Sequence, residues 1–442
     1  MTTAREVALD VTAYVRIDDA YSNLVLPNAI RDARLNSRDA GHATDLTYGS
    51  LRWRALLDEV LSDCVTGSWE RVDTDILDLL RLATYELVIR REPPHTINEW
   101  VNLAKRRARR AAGFVNATLR AVSRRSPDEW RSTIMANATS IAGRAIAYSH
   151  PEWIVSEFTD LLGEIESDEL LIANNAPPVP TLIALPGLAN RPVDAELTPF
   201  SPFGFRSRGG SLVDEPGVAT GVVRVQDEGS QLAAMALTAV SLVHSGERWL
   251  DLCAGPGGKT AFLAAVGLAG GATVEANEVQ EHRADLVRKS LAPFDGRVDV
   301  SVRDGRELCA ENPDAFDRIL VDAPCTGLGA LRRRPESRWR KGPDDLDELV
   351  PLQRELLSAA IGSLTVGGVV AYVTCSPLTA ETVEVVDAVL AEYPDFEALD
   401  TAAILATVAP QLTEATRGMA VQLYPHRHDT DAMFIQLIRR TR

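Results

Sequence analysis

The sequence predicts an α/β protein, a doubly wound and mostly parallel sheet, preceded by an all-helical region and a small α+β module. Three observations carry this reading. From Val223 onward, short apolar runs alternate with helix-like segments, the pattern of a parallel sheet with helices on both faces. Before residue 138, apolar residues recur at helical spacing and β-branched runs are few. Between them lies a stretch broken by prolines and glycines. The expected boundaries are therefore 1–138, 139–222 and 223–442. Three domains also suit a chain of 442 residues.

Each part can be justified in order. In the first, Leu46, Leu51, Leu56, Leu57, Val60 and Leu61 recur on one helical face. Ile76, Leu79, Leu80, Ala83, Leu87 and Val88 do the same, and Pro93-Pro94 interrupts the pattern before more helix follows. In the second, Pro151, Pro177, Pro178, Pro180, Pro186, Pro192, Pro199 and Pro202 punctuate the chain, and Thr181 to Leu185 reads as a strand. In the third, strands are expected at Trp249–Cys253, Thr273–Glu278, Val298–Arg303, Arg318–Val321 and Gly368–Val373. A terminal strand at Met433–Ile438 is expected to close one edge.

Composition narrows the class. An apolar fraction of 45% with 24% charged residues is ordinary for a globular protein in water. The longest apolar stretches, such as Leu232 to Val243, are too short to span a bilayer. Arg5, Glu6 and Asp10 in the first turns do not suit a secretory signal. The five cysteines, Cys64, Cys253, Cys309, Cys325 and Cys375, lie far apart, which fits a reducing, cytoplasmic compartment and no metal site. The net charge of −16 argues at first against a polyanionic partner. But residues 1–140 carry a net +1 and the remainder −17, so the acidity belongs to the later two-thirds. Of 46 basic residues only four are lysines, which makes each lysine worth inspecting.

In an open α/β sheet, ligands bind at the carboxyl ends of the strands. The first strand there runs into Cys253-Ala254-Gly255-Pro256-Gly257-Gly258-Lys259-Thr260. Glycines let the backbone approach a ligand, and the helix start that follows offers free N–H groups. A phosphate-binding loop would need glycine at Cys253, and a dinucleotide turn would need it at Thr260, so both fail on spacing. The second strand ends in Glu278, 23 residues after Gly255, a spacing suited to ribose hydroxyls. The third ends in Asp304 and the fourth in Asp322. Together they point to a nucleoside-bearing cofactor. After Asp322 comes Ala323-Pro324-Cys325-Thr326-Gly327, and the fifth strand ends in Thr374-Cys375-Ser376-Pro377. Two of five cysteines thus fall at one edge, where a thiolate could attack an electron-poor carbon. The residues alone leave open which one attacks.

Leu250 to Thr260, Asp322 to Gly327 and Val373 to Ser376 resemble the motifs of RNA cytosine-C5 methyltransferases, and Val225 to Gln231 resembles their lead-in segment. Arg38 to Trp53 and Gly113 to Arg120 resemble the antitermination factor NusB. The pairing is similar to that of ribosomal RNA methyltransferases with a NusB-like front domain. The resemblance implies a Rossmann-like, seven-stranded catalytic domain that uses S-adenosyl-L-methionine, and a cytosine of small-subunit (16S) rRNA as substrate, free or in an early assembly state. It implies that Cys375 attacks C6 and that Cys325 helps release the adduct. DNA cytosine-C5 methyltransferases use the Pro-Cys cysteine instead, here Cys325. Asp322 would hydrogen-bond the cytosine, with Lys259 nearby. Cys253, Ala254, Gly255, Pro256, Gly257, Gly258 and Lys259 would hold the methionine part, Glu278 the ribose, and Asp304 the adenine, with Asp322 near the methyl donor. The alternatives are an inactive RNA-binding scaffold, or methylation of 23S rRNA or tRNA.

Two basic clusters suggest where RNA lies. No acid occurs between Trp100 and Pro127, a span holding Lys105, Arg106, Arg107, Arg109, Arg110, Arg120, Arg124 and Arg125. A second run, Arg332, Arg333, Arg334, Arg338, Arg340 and Lys341, follows the Pro-Cys motif with Trp339 interleaved. Both are expected to grip phosphates. His426 and His428 are expected in a solvated loop. A monomer is expected.

Overall fold

The computed structural model of the chain describes residues 2–210 and 212–442. They divide into two compact units. The first runs to Pro177 and also includes Leu331–Lys341; the second comprises Pro178–Ala330 and Gly342–Arg442. The division thus falls at 177, not at 138 and 222. Residues 139–177 fold as helices of the first unit, and the short strands that follow belong to the second.

The first unit is helical: α1 (Ala4–Ile17), α2 (Ser22–Asp32), α3 (Ser37–Arg52), α4 (Arg54–Cys64), α5 (Thr74–Thr84), α6 (Ile97–Arg107), α7 (Ala112–Val122), α8 (Pro127–Ala136), α9 (Ile141–Ala147), α10 (Glu152–Leu162) and α11 (Glu164–Asn174). Local sequence sets several starts. Thr3 and Glu6 form a reciprocal capping box on α1, as Ser126 and Glu129 do on α8, where Pro127 takes the first position. Leu57, Val60, Leu61, Leu80, Ala83, Trp100, Val115 and Leu119 pack into one core. A fully buried carboxylate, Glu86, sits beside it. Glu86 accepts from Arg5, from His42 and from the Trp100 indole N–H at 2.6 Å. Burial opposes its charge, but these donors outweigh burial and hold its pKa below the usual value.

The second unit opens with three strands, β1 (Thr181–Ala184), β2 (Gly204–Arg206) and β3 (Val223–Val225). They form a small antiparallel sheet in which β1 is central, with Leu182 opposite both Phe205 and Val225. A larger sheet follows: β4 (Arg248–Asp251), β5 (Thr273–Asn277), β6 (Val298–Ser301), β7 (Phe316–Asp322), β8 (Leu364–Thr374), β9 (Phe396–Ala398), β10 (Thr416–Arg417), β11 (Ala420–Gln422) and β12 (Phe434–Arg440). Its order is β10-β11-β12-β8-β7-β4-β5-β6, with β9 also pairing β12. The five strands from β8 to β6 are parallel. The sheet therefore has nine strands where seven were expected. The terminal strand is interior, held between β8 and β11, because the hairpin β10–β11 covers its far side.

Side-chain alternation divides the core. Trp249, Val274 and Leu320 pack with Leu232 of α12 (Glu228–Ala239) and Phe262 of α13 (Gly258–Ala269). Leu250, Ile319 and Val321 pack with Leu308 of α14 (Gly305–Glu311), Leu357 of α15 (Asp345–Gly362) and Val385 of α16 (Val383–Glu392). Strand order reverses at β4, whose partners are β5 on one side and β7 on the other. This is where an open sheet leaves a crevice at its carboxyl edge.

Candidate active site

The turn after β4 is shaped by two glycines. Gly257 has φ +98°, and a Cβ there would lie 2.6 Å from Ser290 Cβ. A Cβ on Gly255 would lie 2.3 Å from Glu278 Oε2, the oxygen that accepts from the Gly255 N–H at 3.1 Å. Glu278 Oε1 accepts from the Gln280 N–H, and Arg283 donates to the Gly255 carbonyl. The turn and the end of β5 are thus locked together. Below the turn, Asp251 is buried. Its Oδ2 accepts from Thr260 Oγ1 at 2.6 Å, while Oδ1 has no partner. Burial pushes its pKa up to about 7 against the Thr260 hydrogen bond. Asp304 caps the start of α14 and is clasped by Arg306, which lowers its pKa.

Two residue pairs lie at the neighbouring strand ends. Lys259 Nζ is 2.7 Å from Asp322 Oδ2 and 3.5 Å from Ser230 Oγ. Burial works against the ammonium, but Asp322 outweighs it and raises its pKa. Cys325 and Cys375 have their sulfurs 3.4 Å apart. At this separation one sulfur can donate a hydrogen bond to the other, so the two groups titrate together. The hydrogen bond from Cys325 lowers the Cys375 pKa, opposed by burial and by the Asp322 and Asp431 carboxylates and aided by Lys259. The same bond raises Cys325, as do burial and Glu381. Burial raises the other three cysteines, Cys309 to about 11. Of the five, Cys375 alone is shifted toward thiolate.

Several polar residues here were not singled out by sequence. Glu381 accepts from the Thr326 N–H at 2.8 Å, from Thr326 Oγ1 at 2.5 Å and from Gln353 Nε2 at 3.0 Å. Asp227 caps α12 and also accepts from the Asp431 N–H. Asp227 and Ser230 lie within the lead-in segment, which offered a signal for both. Glu381 and Gln353 had none beyond residue type.

The two basic clusters have different fates. Lys105, Arg106, Arg107, Arg109, Arg110 and Arg120 are all exposed. The fold brings acids to some of them: Arg106 pairs with Glu6 and Arg107 with Asp10. The second cluster requires correction. Arg338 is sealed in the first unit and donates to the carbonyls of Arg52, Ser149 and Asn174 and to Asn175 Oδ1. Arg332 is also buried, and Arg340 donates to the Val15 and Ala20 carbonyls and pairs with Asp19. These carbonyls lie at or just past the ends of α1, α3, α9 and α11, where unpaired oxygens and helix dipoles favour cations. Arg332, Arg338 and Arg340 are therefore not available to phosphates. Arg333 is half-buried and Arg334 exposed. His428 is buried rather than solvated, accepting from the Tyr424 N–H.

Fold and site define a Rossmann-like methyltransferase domain joined to a helical, NusB-like one. Comparison with known proteins makes this specific. A family model described as 16S rRNA methyltransferase RsmB/F matches residues 239–439, and a NusB family model matches residues 2–124. A methyltransferase of Mycobacterium tuberculosis is 44% identical, over 99% of this chain and 96% of its own length. Ribosomal RNA small subunit methyltransferase B of Pseudomonas putida is 32% identical, over 84% of this chain and 85% of its own. The crystal structure of PH0851 shares the fold, with a TM-score of 0.81 at 21% identity, covering 99% of this chain and 98% of that one. The chain belongs to the RsmB/F family of rRNA methyltransferases, and its cofactor is S-adenosylmethionine. The residues fit that group: the unpartnered Asp251 Oδ1 suits an ammonium, the turn offers backbone N–H groups, and Glu278 can face hydroxyls. Among the described residues, no helix is long and apolar enough to cross a membrane.

Proposed function

We propose that this chain methylates C5 of a cytosine in 16S rRNA through a covalent adduct between Cys375 and C6. The observation that carries the reading is the Cys325–Cys375 pair, 3.4 Å apart, with the lowered pKa on Cys375. The Cys375 thiolate forms a sulfur–carbon bond to C6, and the C5–C6 π electrons shift toward C5. Asp322, steadied by Lys259, hydrogen-bonds the cytosine edge. When bound, S-adenosylmethionine supplies the methyl group that C5 receives. Cys325, once its own proton has passed to solvent, takes the C5 proton. The C5–C6 double bond re-forms, and the sulfur–carbon electrons return to Cys375. Cys253 to Lys259 hold the methionine part, Glu278 the ribose and Asp304 the adenine. Lys105, Arg106, Arg107, Arg109, Arg110 and Arg120 bind phosphates, with Arg333, Arg334 and Lys341 left as candidates from the second run. The target base must be unpaired or flipped out. The chain acts in the cytoplasm as a monomer, on rRNA that is free or early in assembly.

Cys325→Ala is expected to accumulate a covalent protein–RNA adduct on denaturing gels, and Cys375→Ala to form none. The reverse pattern would give the attacking role to Cys325. Bisulfite sequencing of small-subunit rRNA from cells lacking the protein should show one 5-methylcytosine missing; an unchanged pattern sinks the 16S assignment. The acid limb of kcat/KM should fall below the ordinary thiol value, because Cys375 must be deprotonated and its pKa is lowered. Activity therefore falls as pH drops through that limb. A limb above the ordinary value would contradict the role.

A further inference from the structure

Glu381 lies six residues after Cys375, on the single turn Thr379–Glu381, and is fully buried. Its carboxylate points back to the other cysteine loop. Both its oxygens are used on Thr326, the residue after Cys325, through the backbone N–H at 2.8 Å and the hydroxyl at 2.5 Å. Gln353 bridges the same two places, donating to Glu381 at 3.0 Å and to the Pro324 carbonyl at 2.9 Å. Tyr372 Oη donates to the Glu381 carbonyl at 2.9 Å, which fixes the turn against β8. The residues on both sides of Cys325 are therefore held, Thr326 by Glu381 and Pro324 by Gln353 of α15, which Glu381 in turn accepts from. The backbone also joins the two loops, where the Gly329 N–H donates to the Cys375 carbonyl at 2.8 Å, and Glu381 adds a charged clasp closer to Cys325. A buried carboxylate is costly to keep unless its hydrogen bonds are worth more elsewhere.

We propose that Glu381 is a positioning residue that sets the distance between the two cysteines, and so controls release of the RNA adduct rather than its formation. Cys375 is carried by the end of β8 and keeps its place without Glu381. Cys325 sits on an irregular loop, and its placement depends on the clasp around Thr326. When the clasp is lost, attack by Cys375 continues, while removal of the C5 proton by Cys325 slows. The consequence for catalysis rests on the covalent reading above; the positional claim does not.

Two measurements on the full chain separate these. With RNA and S-adenosylmethionine, Glu381→Ala should accumulate adduct severalfold above the unsubstituted protein, approaching Cys325→Ala. Its kcat should fall about tenfold, with the KM for RNA little changed, as expected for a misplaced proton acceptor. Glu381→Gln keeps an acceptor for the Thr326 N–H and should recover much of the loss. Thr326→Val, which removes one hydroxyl and is the milder test should Glu381→Ala misfold, should fall between them. Without RNA, diamide should join Cys325 to Cys375 about tenfold more slowly in Glu381→Ala, read by mass spectrometry, since disulfide closure demands close sulfurs. Unchanged closure and no extra adduct, while Cys325→Ala still traps one, would overturn the proposal. If Cys325→Ala traps nothing, the covalent reading fails, and the closure rate alone still decides whether Glu381 sets the spacing.

Discussion

The stretches 105–125 and 332–341 are alike in composition and opposite in use. Each is a run of arginines almost free of acids, and both belong to the helical unit. On α6, α7 and the turns beside them, the cations face water; acids of α1 pair with Arg106 and Arg107, and Asp63 of α4 pairs with Arg125. In the segment 332–341, Arg338 and Arg340 fill the gap where helices end, and backbone carbonyls take the place of phosphates. On the proposed reading, both runs answer the same need, oxygen atoms carrying negative charge. The difference teaches that a guanidinium-rich run marks a demand for cations but not who makes it.

Three substitutions test the contrast. The largest effect is expected for Arg338→Ala. It strands four buried acceptors, and at about 1 kcal/mol or more for each, the first unit should lose about 3–5 kcal/mol. Chemical denaturation followed by hydrogen exchange in α3 would measure it, and a change under 1 kcal/mol would break the comparison. Next is the triple change of Lys105, Arg109 and Arg110 to alanine. Stability should stay within about 0.5 kcal/mol, since all three are exposed. RNA affinity should fall, and the slope of log affinity against log salt should shrink by roughly 2 if three phosphate contacts on single-stranded RNA go, at about 0.7 each. An unchanged slope would remove this face from the RNA. Smallest is Arg106→Ala. Its ion pair with Glu6 is exposed and worth at most a few tenths of a kcal/mol, and one binding cation of several is lost. A salt slope reduced by more than about 1 would mean Arg106 does more than one phosphate contact allows.

What was legible in the sequence follows from the range of the forces involved. Continuous apolar runs announce β4, β7 and β8 because those strands are buried on both faces. The Gly-rich turn, Glu278, Asp322 and the two cysteines are legible because the sheet's topology places every strand end at one edge. The strands β10 and β11 have two and three residues and exist through pairing to each other and, by β11, to β12, so nothing local marks them. The missed boundary at 177 has a related cause. Pro151 reads as a break, but it stands at the N-cap of α10, where proline is tolerated and the helical unit continues. Glu381 looks like one more surface acid until the fold brings Thr326 to it, and Arg338 like one more surface base.

The segment Leu331–Lys341 also has a consequence for how the protein is made. Synthesis runs from the N-terminus, so the helical unit is complete at Pro177 except for its plug. The plug arrives about 150 residues later, which at 5–20 residues per second means a delay of roughly 8–30 s. During that interval the carbonyls of Val15, Arg52, Ser149 and Asn174 lack the guanidinium donors of Arg338 and Arg340. The front of this chain thus leaves the ribosome as an unfinished fold, and its last piece is encoded just past the Pro-Cys loop.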